Sequence, residues 1–352
     1  MEELLSLNSV SIGYGGNRGK RGETLAVKKA CFSIQNGEIF GLMGESGSGK
    51  TTIGRAIMRM IDTVEGDITY KGMKINQKLS ADIRRTLCHE MQMIFQDPMA
   101  SLNERAKVSD IIGEGLFVTN QAISNSERER LIDKTMLEVG LRPEYKNRYP
   151  TEFSGGQRQR IGIARALIME PRFIVADEPI SALDVSVRAQ ILNLMKRLQK
   201  NRGLTYLFIS HDMSVMRYFT DRIAVLYHGR IVEIAPTNQL FKTPLHPYTK
   251  MLISSIPKPD PLPRMITEKK GNLNGNKSEL KSSYQNINFD INSSKNKGKE
   301  IDIISDKYKG GEIDIVSDKH KGGEIDIVSD KYKGRDTQRL IERAPGHYVL
   351  EA

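Results

Sequence analysis

The chain has 352 residues, of which 38% are hydrophobic, a formal charge of +10 and two cysteines. These are globular proportions, and two cysteines exclude a disulfide framework or a cysteine metal cluster, so Cys31 and Cys88 read as ordinary core residues of a protein in a reducing compartment. No stretch approaches the about 20 apolar residues that span a bilayer, MEELLSLNSVSIGY lacks a leader pattern, and the positive excess is spread over residues 1–256, which argues against a nucleic-acid groove.

Up to about residue 256 the chain reads as one α/β unit. The apolar runs EIFGLM (38–43), RFIVAD (172–177) and LTYLFIS (204–210) are bounded by loop residues and alternate with helical patterns, which predicts a mostly parallel sheet with covering helices. Between Asp97 and about Pro150 the strand signal disappears, and ERERLIDKTMLEVGL (127–141) has apolar residues at helical spacing. A helical subdomain inserted over about 97–165 is expected there. IAVLYHGRIVEIA (223–235) holds two apolar runs joined at His228-Gly229, which predicts an antiparallel hairpin at the sheet's edge.

After Pro257 the composition changes. KPDPLP signals a linker, and the Asn, Ser, Lys and Gly that follow cannot build a core, so 257–352 is expected to be a largely disordered extension. Within it a unit of period 12 occurs three times: EIDIISDKYKGG (300–311), EIDIVSDKHKGG (312–323) and EIDIVSDKYKGR (324–335). The alternation and the Gly-Gly pairs fit transient strands or a small docked meander, and so narrow a sheet is marginal in water.

Three segments carry chemistry. Gly44-Glu45-Ser46-Gly47-Ser48-Gly49-Lys50-Thr51-Thr52 follows EIFGLM and precedes the helical run IGRAIMRM. In that setting glycines let the backbone wrap so that N–H groups converge on phosphates at a helix N-terminus, with Lys50 reaching the β- and γ-phosphates and Thr51 offering an oxygen to Mg²⁺. Asp177 and Glu178 end the apolar run RFIVAD, where a carboxylate needs a cation or a polar site. Asp177 is expected in the Mg²⁺ shell, and Glu178 is expected to polarise the attacking water. Ser154-Gly155-Gly156-Gln157 opens a helical pattern, IGIARALIM, and reads either as a plain N-cap or as an anion site at a helix N-terminus.

With SGGQ in FSGGQRQR (153–160), the chain resembles the ABC ATPase family. The resemblance implies a P-loop NTPase fold with a mixed, mostly parallel core sheet, an antiparallel β edge and an inserted helical subdomain. It also implies that Ser154, Gly155, Gly156 and Gln157 contact the γ-phosphate of ATP bound to an opposing cassette, so that two chains enclose two nucleotides. On the same footing, Gln96 in MQMIFQDPMASLN matches the Q-loop glutamine that touches Mg²⁺ and water, and Ser181 to Asp184 match the D-loop at the seam. His211 matches the switch histidine that reaches the γ-phosphate, and Tyr14 is the candidate aromatic for adenine, with a core tyrosine as the alternative.

Within that family EMQMIFQDPMASLN, VADEPISALDVSVRAQILNLM and PLHPYTKMLISSIPKPDP are similar to the oligopeptide and dipeptide importer ATPases, over nearly all of residues 1–256. This implies ATP hydrolysis coupled to solute import at the cytoplasmic face of the cell membrane. The implied partners are a sister ABC ATPase subunit, with a homodimer as the alternative, two transmembrane permease subunits and an extracytoplasmic solute-binding protein. No nucleic acid is expected as a partner, since a second GxxxxGK[ST] is absent. Importers of nickel or glycosides share this ATPase type. Two departures stand out: Glu104 occupies a position that is usually proline, and the stretch between Pro263 and Gln338 lacks the cysteine-containing segment of many members. RLIERAPGHYVL resembles the branch's terminus again.

Overall fold

A computed structural model describes residues 2–14, 24–118, 123–256 and 340–350. The period-12 repeats lie outside the described residues. The chain divides into two compact units, residues 1–253 with 317–352, and residues 254–316; of the second, only 254–256 are described.

The first strands, β1 (Glu3–Tyr14) and β2 (Thr24–Gln35), pair antiparallel. A register shift between Leu7 and Val10, with Ser9 at φ 50°, moves the inward alternation from Leu5 and Leu7 to Val10 and Ile12, as a bulge does. Then come β3 (Ile39–Met43), α1 (Lys50–Ile57), β4 (Glu65–Tyr70) and β5 (Met73–Lys74). Strands β2, β1, β4 and β5 form a four-stranded antiparallel sheet in that order. Helix α2 (Ala81–Glu90) is capped by Ser80 and buries only Leu87, which leaves Cys88 exposed; the expectation of a core cysteine holds for Cys31 alone.

β6 (Met91–Ile94) is followed by α3 (Pro98–Ser101), α4 (Val108–Val118), α5 (Asn125–Glu138) and α6 (Gly155–Leu167). Ser124 and Ser154 start the last two with side-chain caps, each oxygen accepting the third following N–H. Among the described residues no strand lies between Ile94 and Phe173. The α/β alternation resumes with β7 (Phe173–Asp177), α7 (Val185–Arg202), β8 (Thr205–Ser210), α8 (Met213–Phe219), β9 (Arg222–Tyr227) and β10 (Arg230–Pro236). α9 (Thr237–Lys242), α10 (Pro247–Ser254), β11 (Leu340–Ala344) and β12 (His347–Leu350) complete the order.

The second sheet has eight strands in the order β11-β12-β10-β9-β3-β8-β7-β6. From β6 to β9 the pairing is parallel, and every residue of β3, β7 and β8 is buried, as both-face coverage requires. Helix α1 lies between the two sheets, against β1 and β2 on one side and β7 and β8 on the other. Gly54 permits this, because a Cβ there would stand 3.0 Å from Val175 and 3.1 Å from Ile209. The close packing fixes the phosphate loop, which is the link between β3 and α1, at the C-terminal end of the parallel strands.

The predicted hairpin is β9–β10, turning at His228 (φ 46°) and Gly229 (φ 80°). It is not the sheet's edge. β12 adds outside β10, pairing Val349 with Glu233 and Tyr348 with Ile234, and β11 forms the edge. Residues 340–350 therefore belong to the core sheet rather than to a coreless extension. No local pattern marks this pairing, since more than a hundred residues separate Glu233 from Val349.

Candidate active site

The loop from Gly44 to Thr52 wraps the N-terminus of α1. At Gly44 any side chain is excluded, because a Cβ would lie 2.2 Å from the Leu226 carbonyl oxygen. Lys50 is 5% exposed, and its ammonium donates to the carbonyls of Gly44 (2.8 Å) and Glu45 (2.7 Å), so it spans the mouth of the loop. Burial pushes the Lys50 pKa down from its ordinary value against the opposing pull of Glu178, Asp177 and Glu45. Ser48 Oγ is buried with no hydrogen-bond partner, an orphaned polar atom inside the loop. A buried cation beside an unsatisfied hydroxyl and a helix N-terminus is suited to an oxyanion.

Strand β7 delivers Asp177 to the same place. Thr51 Oγ1 donates to Asp177 Oδ1 at 3.0 Å. Asp177 is almost fully buried; burial raises its pKa, the Thr51 bond and the nearby Arg55 and Lys50 lower it, Glu178 raises it, and the net direction is up. A buried carboxylate paired with a hydroxyl gives hard oxygen donors whose desolvation a small divalent cation would offset, and these residues fit Mg²⁺ held chiefly by phosphate and water. Among the described residues no group of three or more His, Cys, Asp or Glu side chains stands ready to hold a metal without such help.

Glu178 follows at φ 45°, a left-handed conformation unusual for glutamate, fixed by donation of its N–H to the Ile209 carbonyl. The turn aims its carboxylate sideways along the strand ends. There Gln96 Nε2 donates to Oε2 at 2.9 Å, and His211 Nδ1 lies 3.0 Å from Oε1. Gln96 leaves β6 and His211 leaves β8, so the two neighbours flanking β7 each contribute one contact to the carboxylate.

The loop, Gln96, Glu178 and His211 open into one cavity of about 740 Å³, whose wall also includes Tyr14, Met213 and Leu252; Asp177, bonded to Thr51, and the buried Ser48 do not line it themselves. Tyr14, at the end of β1, is 51% exposed, and its hydroxyl lies 2.9 Å from Thr52 Oγ1. The half-open ring on the cavity wall is a surface residue and not part of the core. Sequence reasoning missed Leu252 and its neighbour Tyr248 on α10, whose hydroxyl accepts from the Glu45 N–H at 3.3 Å.

Ser154, Gly155, Gly156, Gln157 and Asp184 do not line that cavity. Ser154 and Gln157 close a capping box: Ser154 Oγ accepts the Gln157 N–H, and Gln157 Oε1 accepts the Ser154 N–H at 3.0 Å. Gly156 has no room for a Cβ, which would stand 2.4 Å from Val187 on α7. Asp184 precedes α7 without capping it, and Arg188 holds the intervening loop by donating to the carbonyls of Leu183 (2.7 Å) and Ser181 (3.3 Å). Arg188 also escaped the sequence reading, having no pattern to mark it.

Residues 27–181 match the model of the ABC transporter family, and residues 232–282 that of the oligopeptide/dipeptide transporter C-terminal region. The chain is 57% identical to the oligopeptide transport ATP-binding protein OppF of Streptococcus pyogenes over 74% of this chain and 84% of that one. It is 54% identical to OppF of Bacillus subtilis over 68% of this chain and 79% of the relative. Among solved structures it is similar to a dimeric ATP-binding cassette in a post-hydrolysis state bound to ADP and Pi, with TM-score 0.60 and 28% identity over 66% of this chain and 99% of that one. The chain belongs to the ABC transporter family, in its branch of oligopeptide transport ATP-binding proteins.

Proposed function

We propose that this chain binds and hydrolyses ATP to energise the import of oligopeptides or dipeptides, and that its nucleotide site is completed by a second cassette. The observation that carries the reading is the separation within one chain of a phosphate loop, which lines the cavity, from Ser154–Gln157, which do not. The similarity to a dimeric cassette bound to ADP and Pi supports it.

Lys50 leaves its two carbonyl partners to meet the β- and γ-phosphates, an exchange that gives a buried ammonium a full counter-charge. The N–H groups around Gly47 to Thr51 and the positive end of α1 hold the phosphate chain. Thr51 and Asp177, with Gln96 beside them, would hold Mg²⁺, which would supply neutralisation of the charge that develops on the transferring phosphoryl oxygens. Glu178 accepts a proton from the attacking water, oriented by the Gln96 amide and the His211 ring that now contact its two oxygens. Tyr14 offers its exposed ring to the adenine.

The facing cassette's signature supplies a helix N-terminus to the γ-phosphate, and this chain's Ser154–Gln157 do the same in return, with Asp184 at the seam. Loss of the γ-phosphate removes the bridging charge and frees the two cassettes. The opposing cassette is a sister subunit; two permease subunits and an extracytoplasmic solute-binding protein complete the importer, with this chain on the cytoplasmic face of the membrane. Among the described residues no helix is long and apolar enough to cross a membrane.

Uptake of a labelled oligopeptide by the reconstituted transporter tests the reading. The expected result is ATP-dependent uptake that Lys50→Ala abolishes, and uptake unaffected by that substitution would contradict it.

A further inference from the structure

Helix α10 begins within the motif His246-Pro247-Tyr248-Thr249, which ATP hydrolysis as proposed does not use. Its placement is heavily determined. Glu233 on β10 is fully buried, and its carboxylate accepts the N–H groups of Leu245 and His246, both at 2.9 Å, and a contact from His347 Nε2 at 2.6 Å. One carboxylate thus ties together β10, the segment leading into α10 and the first residue of β12. His246 Nδ1 in turn accepts the Tyr248 N–H at 3.2 Å, which fixes the first turn of the helix.

What this arrangement presents to the nucleotide site is the Tyr248 side chain. It is 5% exposed, its ring lies 4.1 Å from that of Tyr227 at the end of β9, and its hydroxyl takes the Glu45 N–H at the start of the phosphate loop. One turn later on the same helix, Leu252 forms part of the cavity wall. Gly44, the neighbour of Glu45, is pressed against the Leu226 carbonyl, so the start of the loop is held from one side by β9 and from the other by α10.

We propose that Tyr248 is a positioning residue for nucleotide binding: its hydroxyl fixes the Glu45 peptide, and so holds the phosphate loop in the shape that receives the β-phosphate. The β12 hairpin and Glu233 serve this by fixing α10, which gives the C-terminal strands a role at a site they do not touch. The proposal rests on the reading of residues 44–52 as the phosphate loop.

The test is ADP binding by the full-length chain carrying Tyr248→Phe, which removes the hydroxyl and keeps the ring against Tyr227. One hydrogen bond to the loop predicts about fivefold weaker ADP binding, faster amide exchange confined to the peptide spanning the phosphate loop, and an unchanged Tm without nucleotide. ADP affinity within twofold of the parent, or a loss accompanied by a lower nucleotide-free Tm and faster exchange throughout the core, would overturn the proposal. Lys50→Ala in parallel separates the two claims: if it too leaves ADP binding intact, the phosphate-loop reading itself fails, whereas intact binding in Tyr248→Phe alone rejects only the role of Tyr248.

Discussion

Glu178 Oε1 lies 3.0 Å from His211 Nδ1, although the two residues leave neighbouring strands 33 positions apart in the sequence. The contact exists because the parallel β7 and β8 pair with Asp177 beside Ile209, so Glu178 and, two residues past Ile209, His211 turn out over the same strand ends. With Gln96 on the other carboxylate oxygen, Glu178 is aimed and held from both sides.

That arrangement makes Glu178→Gln the most informative single change to the chemistry. A glutamine keeps the shape and the Gln96 and His211 neighbours but cannot accept the proton. ATP binding is expected to persist, while the ATPase rate of the assembled transporter falls by about 10²–10⁴. Steady-state phosphate release together with nucleotide binding measures both.

Lys50→Ala acts one step earlier. It removes the buried ammonium that interacts with Glu178 and Asp177. ATP and ADP affinity is expected to drop by at least tenfold, about 1.4 kcal/mol or more, in line with loss of a charge-assisted contact. Titration calorimetry on the full chain reads this directly.

Gly44→Ala tests the packing of the loop. The new methyl would meet the backbone carbonyl of Leu226, which cannot swing aside as a flexible side chain would. A loss of about 1–3 kcal/mol in unfolding free energy is expected, visible as a lower urea midpoint with an unchanged slope.

Glu233 gives a pH signature. Burial raises its pKa, but the contact with His347, the nearby Thr249 hydroxyl and the N–H bonds from Leu245 and His246 prevail and hold it below the ordinary carboxylate value. A depressed folded-state value means that the stability is present above the unfolded-state pKa and is lost as pH falls through the folded one. The stability gap between the parent and Glu233→Gln is expected to be about 3 kcal/mol near neutrality and to shrink as pH falls through the acid range. Urea unfolding at a series of pH values measures the gap.

The residues legible in the sequence are those whose identity chemistry dictates at short range. Gly44 to Thr52 form their loop from local backbone needs, and Asp177 and Glu178 stand out because a carboxylate ends a buried run. Ser154 and Gln157 announce a helix start by their spacing alone. The four-stranded antiparallel sheet was not legible, because bulged β1 breaks simple alternation and its partners lie up to 65 residues along the chain. Tyr248 was not legible as a neighbour of the phosphate loop for the same reason, with 203 positions separating it from Glu45. The β12 pairing needed the sheet itself to reveal that β10 still had a free edge.

The central claim is that another chain completes the phosphate site, and photolabelling with an ATP analogue reactive at the γ-phosphate tests it most directly. In complexes that carry Lys50→Ala in this chain and an intact phosphate loop in the opposing cassette, label is expected to persist on this chain's Ser154–Gln157 peptide. Loss of that label, with the opposing cassette still binding nucleotide, would mean that the chain's own loop supplies the phosphate, and the account would be contradicted.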